Sequence, residues 1–546
     1  MTTRKYDFDW VIVGSGFGGS VAALRLAEKG YHVAVIEKGR RYEDSDLPTS
    51  AADKKSYVWE PALGLYGIMR ALVFRHVFTL AQTGVGGGSL MYGGVLFRAR
   101  SGFYDDPQWC RTGSWEQTLG PHYTEAERML GVNLPPWESV TMGLSRQIAE
   151  KFGSKDAFAL SPTGVFFGES GKTVDDPYFG GKGPRRTGCT RCGECMGGCR
   201  TGAANRLTKN YLWFAEKKGV RIIPEHEVVE VAPLGAADGS EGYHIVSERR
   251  GKGVRGVRAL YTSRGVIFAG GAVGTNELLA QCKHSGSLPR ISDRLGHLVR
   301  TNSEVIVAVQ LPEDAETWRD VTASSRVMLD EDTQIELLTL GPKADVHQLM
   351  WTLMPGKGSP IVRTAKWFGN VLRHPRKWIA THRRKGWGAR TLLMLVMQPR
   401  DNAIRFRAVK RRFGKGYRLA SEADLQRPAP TYLETGHKVI KWLADLTGGV
   451  AQSTIFDAFL EIPYTGHLLG GAVIGSDANS GVIDSNLRVF GYQNMIVCDA
   501  AAMPANPGVN PALTITALAE YAMSQIPKAP TELAHSSQLP DESRAV

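Results

Sequence analysis

Residues 10–38 read WVIVGSGFGGSVAALRLAEKGYHVAVIEK, and the fold follows from this stretch. An apolar run, Trp10 to Val13, enters a turn in which Gly14, Gly16 and Gly19 have GxGxxG spacing. A helix of small residues follows, then a second apolar run, His32 to Ile36, closed by Glu37. The first glycine permits a tight turn, the second lets a pyrophosphate approach the backbone, and the third lets the helix lie close on the strand. The helix N-terminus offers unpaired N–H groups and a partial positive charge to phosphates. Glu37, about 20 residues on, can accept both hydroxyls of an adenosine ribose. A GxGxxG alone is compatible with a turn that binds nothing. Strand, turn, helix, strand and acid in succession predict a dinucleotide site.

At 546 residues the chain has room for two or more domains. No run of 18 apolar residues occurs, so a membrane-spanning helix is not expected. The opening MTTRKYDFDW passes into the first strand without an apolar export segment, which predicts a cytoplasmic protein. Seven cysteines, an odd number, argue against a disulfide framework. The net charge of +12 is concentrated: residues 361–418 hold 17 Lys or Arg against one acid, Asp401. Such a block reads as a contact surface for something anionic. No nucleic-acid-binding module accompanies it, so nucleic acid is not expected as a partner.

Further along, TGVGGGSLMYGG (Thr83 to Gly94) is a second glycine cluster able to form a nest for an oxygen-rich group or to pass close to a flat ring. Residues 101–188 read as irregular apart from one helix at about 121–131, with Pro121 as its first residue. A helix over Leu207 to Lys218 leads to the strand RIIPEHEVVEV. GVIFAGGAVGTNELLA (Gly265 to Ala280) then repeats the strand, glycine turn, helix pattern and reads as a returning strand of the same sheet. Strands at Glu304 to Gln310, Gln334 to Leu340 and Leu392 to Met397 mark a second domain. Asn494 to Asp499 reads as a buried strand, and Asn510-Pro511 as the N-cap and first residue of a helix to about Gln525. The polar end of the chain reads as disordered. The expected fold is α/β: a Rossmann-like nucleotide domain from 1–100, 200–300 and 465–528, a mainly antiparallel substrate domain from 101–188 and 301–464, a cysteine-rich insert at 189–199, and a tail at 529–546.

Four stretches together, IVGSGFGGSVAALRLAEKG, TGVGGGSL, GHLLGGAVIG and MIVCDAAAMPANPGVNPALTITALAE, resemble the cholesterol oxidase-like members of the glucose-methanol-choline (GMC) oxidoreductase family. The resemblance implies FAD between the two domains. Covalent members attach it through a histidine in the region of Thr79 to Gly102, where this chain has none, so noncovalent FAD is expected. Motif matching assigns the ADP half to Gly14, Gly16, Gly19 and Glu37, with the adenine against the backbone of Val228. It sets Gly88, Ser89 and Gly93 along the flavin and its phosphates, and Asp499 at the ribityl chain. The active-site pair is His467, in the HxxGG segment, and Asn510. The reaction implied is hydride transfer from a bulky apolar alcohol, a 3β-hydroxysteroid such as cholesterol, to flavin N5; the electron acceptor is left open. Steroid-oxidising relatives also carry a glutamate base on a loop over the flavin. The corresponding interval here, between Glu336 and Glu422, has no Glu, which leaves His467 alone as base or Asp345 or His347 as its substitute. The alternatives are a dehydrogenase of another lipid-like alcohol using FAD and iron–sulfur, and an electron-transfer or lipid-binding relative without turnover.

Two motifs lie outside that scheme. Cys189, Cys192, Cys195 and Cys199 have the C-x2-C-x2-C-x3-C spacing of bacterial ferredoxins, in which three thiolates hold one [4Fe–4S] cluster and the fourth serves another. A single cluster here needs Cys199 to curl back or a ligand such as Cys110; zinc and a loop of free thiols are the alternatives. In Ile361 to Lys385, Trp367, Val371 and Trp378 fall at helical intervals among eight Lys or Arg. That pattern fits either peripheral contact with an anionic membrane or a solvated helix with a core-facing stripe.

Overall fold

The computed structural model describes residues 5–50, 52–109, 114–250, 257–412 and 416–530; Cys110 and the tail from 531 lie outside them. The opening unit folds as its spacing requires. Strand Phe8–Val13 runs parallel to Val33–Ile36 on one side and to Arg258–Phe268 on the other, with helix Phe17–Glu28 between the first two. Gly14 has φ +99°, and a Cβ on Gly19 would stand 2.1 Å from the Gly14 carbonyl oxygen. The turn and the close helix packing therefore both depend on the missing side chains.

Arg221–Ile223 extends this seven-stranded sheet beyond Val33–Ile36. Met495–Val497 joins in parallel at the end of Arg258–Phe268, whose first half also pairs antiparallel with Tyr243–Arg249. The expected returning strand and the expected buried strand near the end of the chain are both present, and helix Gly271–Ser285 follows the glycines after Phe268. The expected strand RIIPEHEVVEV is two strands, Arg221–Ile223 and His226–Pro233, broken at Pro224.

The second sheet also has seven strands, all antiparallel, in the order Trp351–Leu353, Val450–Thr454, Val305–Gln310, Thr391–Met397, Gln334–Thr339, Ser325–Met328 and Phe158–Leu160. Both of its faces are covered. Val305, Val307, Ile335 and Leu337 pack under helices Val140–Phe152 and Glu434–Thr447, while Ile306, Ala308 and Leu338 face Val95, Phe97 and Val509. Period-two alternation thus turns alternate residues of these strands toward the nucleotide half.

Three local expectations are corrected. The helix expected from Pro121 begins at Trp115, where Ser114 accepts the N–H of Gln117, and Pro121 sits inside it. A further helix, Val140–Phe152, is capped by Ser139 within the segment read as irregular. The helix expected at Leu207 is a single 3₁₀ turn, Leu207–Lys209, before Tyr211–Lys217, because Asn210 caps the latter at Tyr211.

Candidate active site

At the nucleotide end, Glu37 is buried at the tip of its strand. One carboxylate oxygen accepts from Ser15 N–H (3.1 Å) and Ser15 Oγ (2.8 Å), the other from Gly39 N–H (2.9 Å). Three of the four lone-pair sites are thus taken, and the second lone pair of the oxygen that meets Gly39 N–H is left to accept a ribose hydroxyl. A Cβ on Gly16 would meet nothing within 4 Å, although one on Gly87 would stand 2.7 Å from the Gly16 Cα. The two glycine turns therefore face each other with open space beside Gly16. The Phe17–Glu28 helix has no side-chain cap, which leaves its first-turn donors for a phosphate. Val228 is buried on strand His226–Pro233 just before a register shift, and His226 N–H bonds the Glu37 carbonyl. Backbone groups thus come free near the acid, as an adenine contact would need.

Ser89 and Asp499 are both tied up by the fold. The Ser89 hydroxyl donates to the Gly86 carbonyl (2.7 Å) and accepts from Leu207 N–H (3.1 Å), so its one O–H is spent within the fold. Asp499 accepts from Gly271 N–H (2.7 Å), Thr275 Oγ1 (2.5 Å) and Ala501 N–H (2.8 Å), and burial raises its pKa to about 6. It anchors the start of helix Gly271–Ser285 against the first helix. Along the second turn, Gly93 lies against Thr322, whose buried hydroxyl has no partner, and Gly88 lies against Phe17. Open space at Gly16 and unpartnered polar atoms at Thr83, Thr322 and Asn510 fit a long bound cofactor carrying polar groups at both ends.

Away from the glycine turns, four side chains converge in two hydrogen-bonded pairs. Asn510 precedes helix Ala512–Ser524 but is not its N-cap; Pro511 occupies that position, and Asn510 Nδ2 donates to Glu336 Oε2 at 3.2 Å. Glu336 is fully buried on strand Gln334–Thr339, its other oxygen accepting from Gln334 Nε2 at 2.8 Å. Burial raises its pKa to about 7. His467 Nδ1 lies 2.6 Å from Glu304 Oε2, while Glu304 Oε1 takes the Gly466 N–H at 2.6 Å. Burial alone would lower the His467 pKa, but the charge and hydrogen bond of Glu304, with the charge of Glu336 behind it, raise it. The segment carrying Glu304 is held by Asn302, which takes a left-handed φ of +58° and bonds Asn506, Gly508 and Val509. A non-glycine residue kept in that region needs such a surround.

The expected substitutes for a glutamate base are elsewhere. Asp345 accepts the N–H groups of Gly386 and Gly388, and His347 bonds the Tyr57 hydroxyl (3.0 Å) with its pKa lowered to about 4 by burial. The carboxylate beside His467 and Asn510 is Glu336, which bounds the Glu-free interval on its N-terminal side. Its signal was a lone acid in QIELLTL, which alternation places opposite Ile335 and Leu337. Glu304, heading the apolar run VIVAVQ, carried a similar signal.

The basic block divides. Arg405, Arg407 and Arg411 pair with Asp424, Glu422 and Glu277 in or beside a four-stranded sheet. Residues 360–385 form helices Pro360–Arg373 and Pro375–His382. Their Trp367, Val371 and Trp378 are half-buried, with Trp367 Nε1 donating to Thr352, so that stripe faces the protein. The outer face exposes Ile361 (83 %), Leu372 (81 %), Phe368 and Ile379 beside Arg373, Arg376, Lys377, Arg383, Arg384 and Lys385. Among the described residues none of these six cations has an ion-pair partner, and no helix is long and apolar enough to cross a membrane.

Comparison with known proteins bears on the same segments. A model described as GMC oxidoreductase matches residues 451–519, which hold His467 and Asn510. One described as an NAD(P)-binding Rossmann-like domain matches 12–42. A cholesterol oxidase of Acinetobacter baumannii is 39% identical over 96% of this chain and 96% of its own length. One of Mycobacterium tuberculosis (strain ATCC 25618 / H37Rv) is 41% identical over 96% of this chain and 92% of its own. The chain belongs to the GMC oxidoreductase family. This is a family of FAD-dependent enzymes acting on CH–OH donors. Its fold recurs in the crystal structure of pyridoxine 4-oxidase from Mesorbium loti, with TM-score 0.61 and 15% identity over 95% of this chain and 98% of that one.

Proposed function

We propose that this protein oxidises the hydroxyl of a 3β-hydroxysteroid such as cholesterol, with noncovalent FAD as cofactor. The observation that carries the reading is the convergence of Glu336, His467, Asn510 and Glu304, in a chain about 40% identical to cholesterol oxidases over nearly its whole length. FAD, when bound, supplies the acceptor for the carbinol hydride. Gly14, Gly16, Gly19, Glu37 and the Val228 backbone would hold its ADP half, and Gly88, Ser89, Gly93 and Asp499 would border the rest.

The chain's own part is the proton. Glu336, with a pKa near neutral, is suited to take the hydroxyl proton, since a base works best when its pKa lies near working pH. Glu304 can only accept at His467 Nδ1, which fixes the proton there and leaves Nε2 to face the substrate. A His467 kept protonated presents an N–H to the substrate oxygen and stabilises the charge that develops there. Environments that push two groups toward opposite tasks separate base from donor. Asn510 steadies Glu336, and its unpartnered Oδ1 remains for a ligand.

Cholesterol resides in membranes, and the outer face of residues 360–385 suits peripheral contact with anionic lipid: four apolar side chains for the acyl boundary, six unpaired cations for the headgroups. The test of the reaction is anaerobic. Purified protein carrying FAD should lose its oxidised-flavin absorbance on adding cholesterol. Bleaching by long-chain or aryl alcohols but not by sterols would overturn the substrate, and protein that takes up no FAD would overturn the whole reading.

A further inference from the structure

The cysteine run takes no part in alcohol oxidation. In the structure all four thiols, Cys189, Cys192, Cys195 and Cys199, line a single cavity. None is in a disulfide. Val165, Ala203 and Val321 form the apolar wall against which Cys189, Cys195 and Cys199 pack. Each sulfur is met by a backbone N–H. Arg191 donates to Cys189 and Ala204 to Cys199, both at 3.4 Å, and the N–H groups of Glu194 and Thr322 face Cys192 and Cys195. The loop is coiled inward to do this, with Arg191 held at a left-handed φ of +56°.

The oxygen ligands nearby are already engaged. Asp320, on the cavity wall, accepts from Trp137 Nε1 (2.9 Å), Ser139 Oγ and Val321 N–H (2.8 Å), and Glu194 pairs with Lys343 at 3.0 Å. What remains is a set of four soft donors, which selects zinc, copper(I) or iron–sulfur. A single zinc needs its sulfurs about 2.3 Å from one point, and among the described residues no three His, Cys, Asp or Glu side chains converge in that way. A cubane takes one thiolate at each of four corners, so its ligands stand around a body instead of meeting at a point. C-x2-C-x2-C is the spacing that serves three corners of one cluster. Cys199, which in two-cluster ferredoxins would serve another cluster, here lines the same cavity and supplies the fourth.

We propose that Cys189, Cys192, Cys195 and Cys199 together ligate one [4Fe–4S] cluster. The site stands behind the second glycine turn: a Cβ on Gly198 would lie 3.4 Å from the Leu90 carbonyl oxygen. It does not depend on which alcohol, or whether any, is oxidised.

The experiment uses full-length protein purified anaerobically, half of it reconstituted with ferrous iron and sulfide. About four iron and four acid-labile sulfide per chain are expected, with broad visible absorbance that dithionite bleaches and a paramagnetic signal of the reduced cluster. The double variant Cys192→Ser/Cys195→Ser should lose iron, sulfide and signal, while Cys282→Ser, at a buried cysteine outside the cavity, should keep them. Metal content of the unaltered protein decides the matter even where the double variant folds poorly. Absence of iron and sulfide from both portions, one zinc per chain in their place, or iron retained by a folded double variant would each overturn the proposal.

Discussion

The two halves of the molecule present their chemistry in different ways. The nucleotide half uses backbone: Gly16 beside open space, first-turn N–H groups, one acid at a strand tip. All of it is contained in 28 consecutive residues, Trp10 to Glu37. The antiparallel half uses side chains that are meaningless singly. Glu336 acts with Asn510 across 174 residues and Glu304 with His467 across 163. Function carried by backbone geometry must be written locally, because the turn itself is the site. Function carried by side chains can be scattered, provided that strand alternation and buried turns bring it together.

The sharpest way to break that comparison is to damage each half separately. Glu336→Gln keeps the Asn510 contact and the volume but removes the base. Turnover should fall about 10²- to 10⁴-fold while the protein still binds FAD, as stopped-flow bleaching and a flavin titration would show. Since the working form of Glu336 is the carboxylate, kcat/KM of the unaltered protein should fall tenfold per pH unit below about 7. The same profile should fall again at high pH as His467, its pKa raised, gives up its proton. These limbs belong to a coupled set and should be fitted as such. A flat acid limb would remove Glu336 from the chemistry.

How much of this could be read beforehand follows from the same division. The opening strand, turn and helix, the returning strand at Arg258–Phe268, and three neighbours of the second sheet lie where their periodicity put them. His467 and Asn510 came from segments resembling the family. Glu336 is not legible as the proposed base because it stands on a strand instead of a loop, and no local pattern reveals that strand's facing partner, Val509–Asn510. Asn510 next to Pro511 has the composition of a helix cap, yet its Nδ2 donates to a buried carboxylate and its Oδ1, the atom a cap would use, accepts from no helix N–H. The basic block looked like one surface because charge along a chain does not show distant partners. Glu277 neutralises Arg411 across 134 residues and Asp457 neutralises Arg363, while among the described residues Arg373, Arg376, Lys377, Arg383, Arg384 and Lys385 have no ion-pair partner.

Outside both halves, converting Arg383, Arg384 and Lys385 to Gln removes about 1 kcal/mol of lipid attraction per charge, so binding to anionic vesicles should weaken roughly 10²-fold. Flotation at rising salt should narrow the difference, and binding that ignores the substitutions would dismiss this surface. In the backbone half, Gly19→Ala forces a Cβ to within 2.1 Å of the Gly14 carbonyl. Overpacking of that kind costs about 2 kcal/mol, and FAD affinity should drop roughly thirtyfold with kcat of the loaded protein unchanged.

Glu304→Gln tests the side-chain half most finely, because it touches no reacting atom. The amide can still accept the Gly466 N–H, so the backbone should hold, but the negative charge beside His467 Nδ1 is gone. With its oxygen on Gly466, the amide turns its NH2 to Nδ1, which can bond it only by giving up its proton and accepting. A charge-assisted hydrogen bond is replaced by a neutral one of opposite direction, a loss of about 1–1.5 kcal/mol, and the rate should fall about tenfold. The diagnostic is the pH profile. The His467 pKa is held up against burial by Glu304, so in the variant the alkaline limb must move to lower pH, while the acid limb, set mainly by the burial of Glu336, shifts much less. If Glu304 merely shaped the loop, both limbs would keep their places and only the amplitude would change. A shift of the alkaline limb alone would show that a residue outside the substrate's reach sets the protonation of one that is within it.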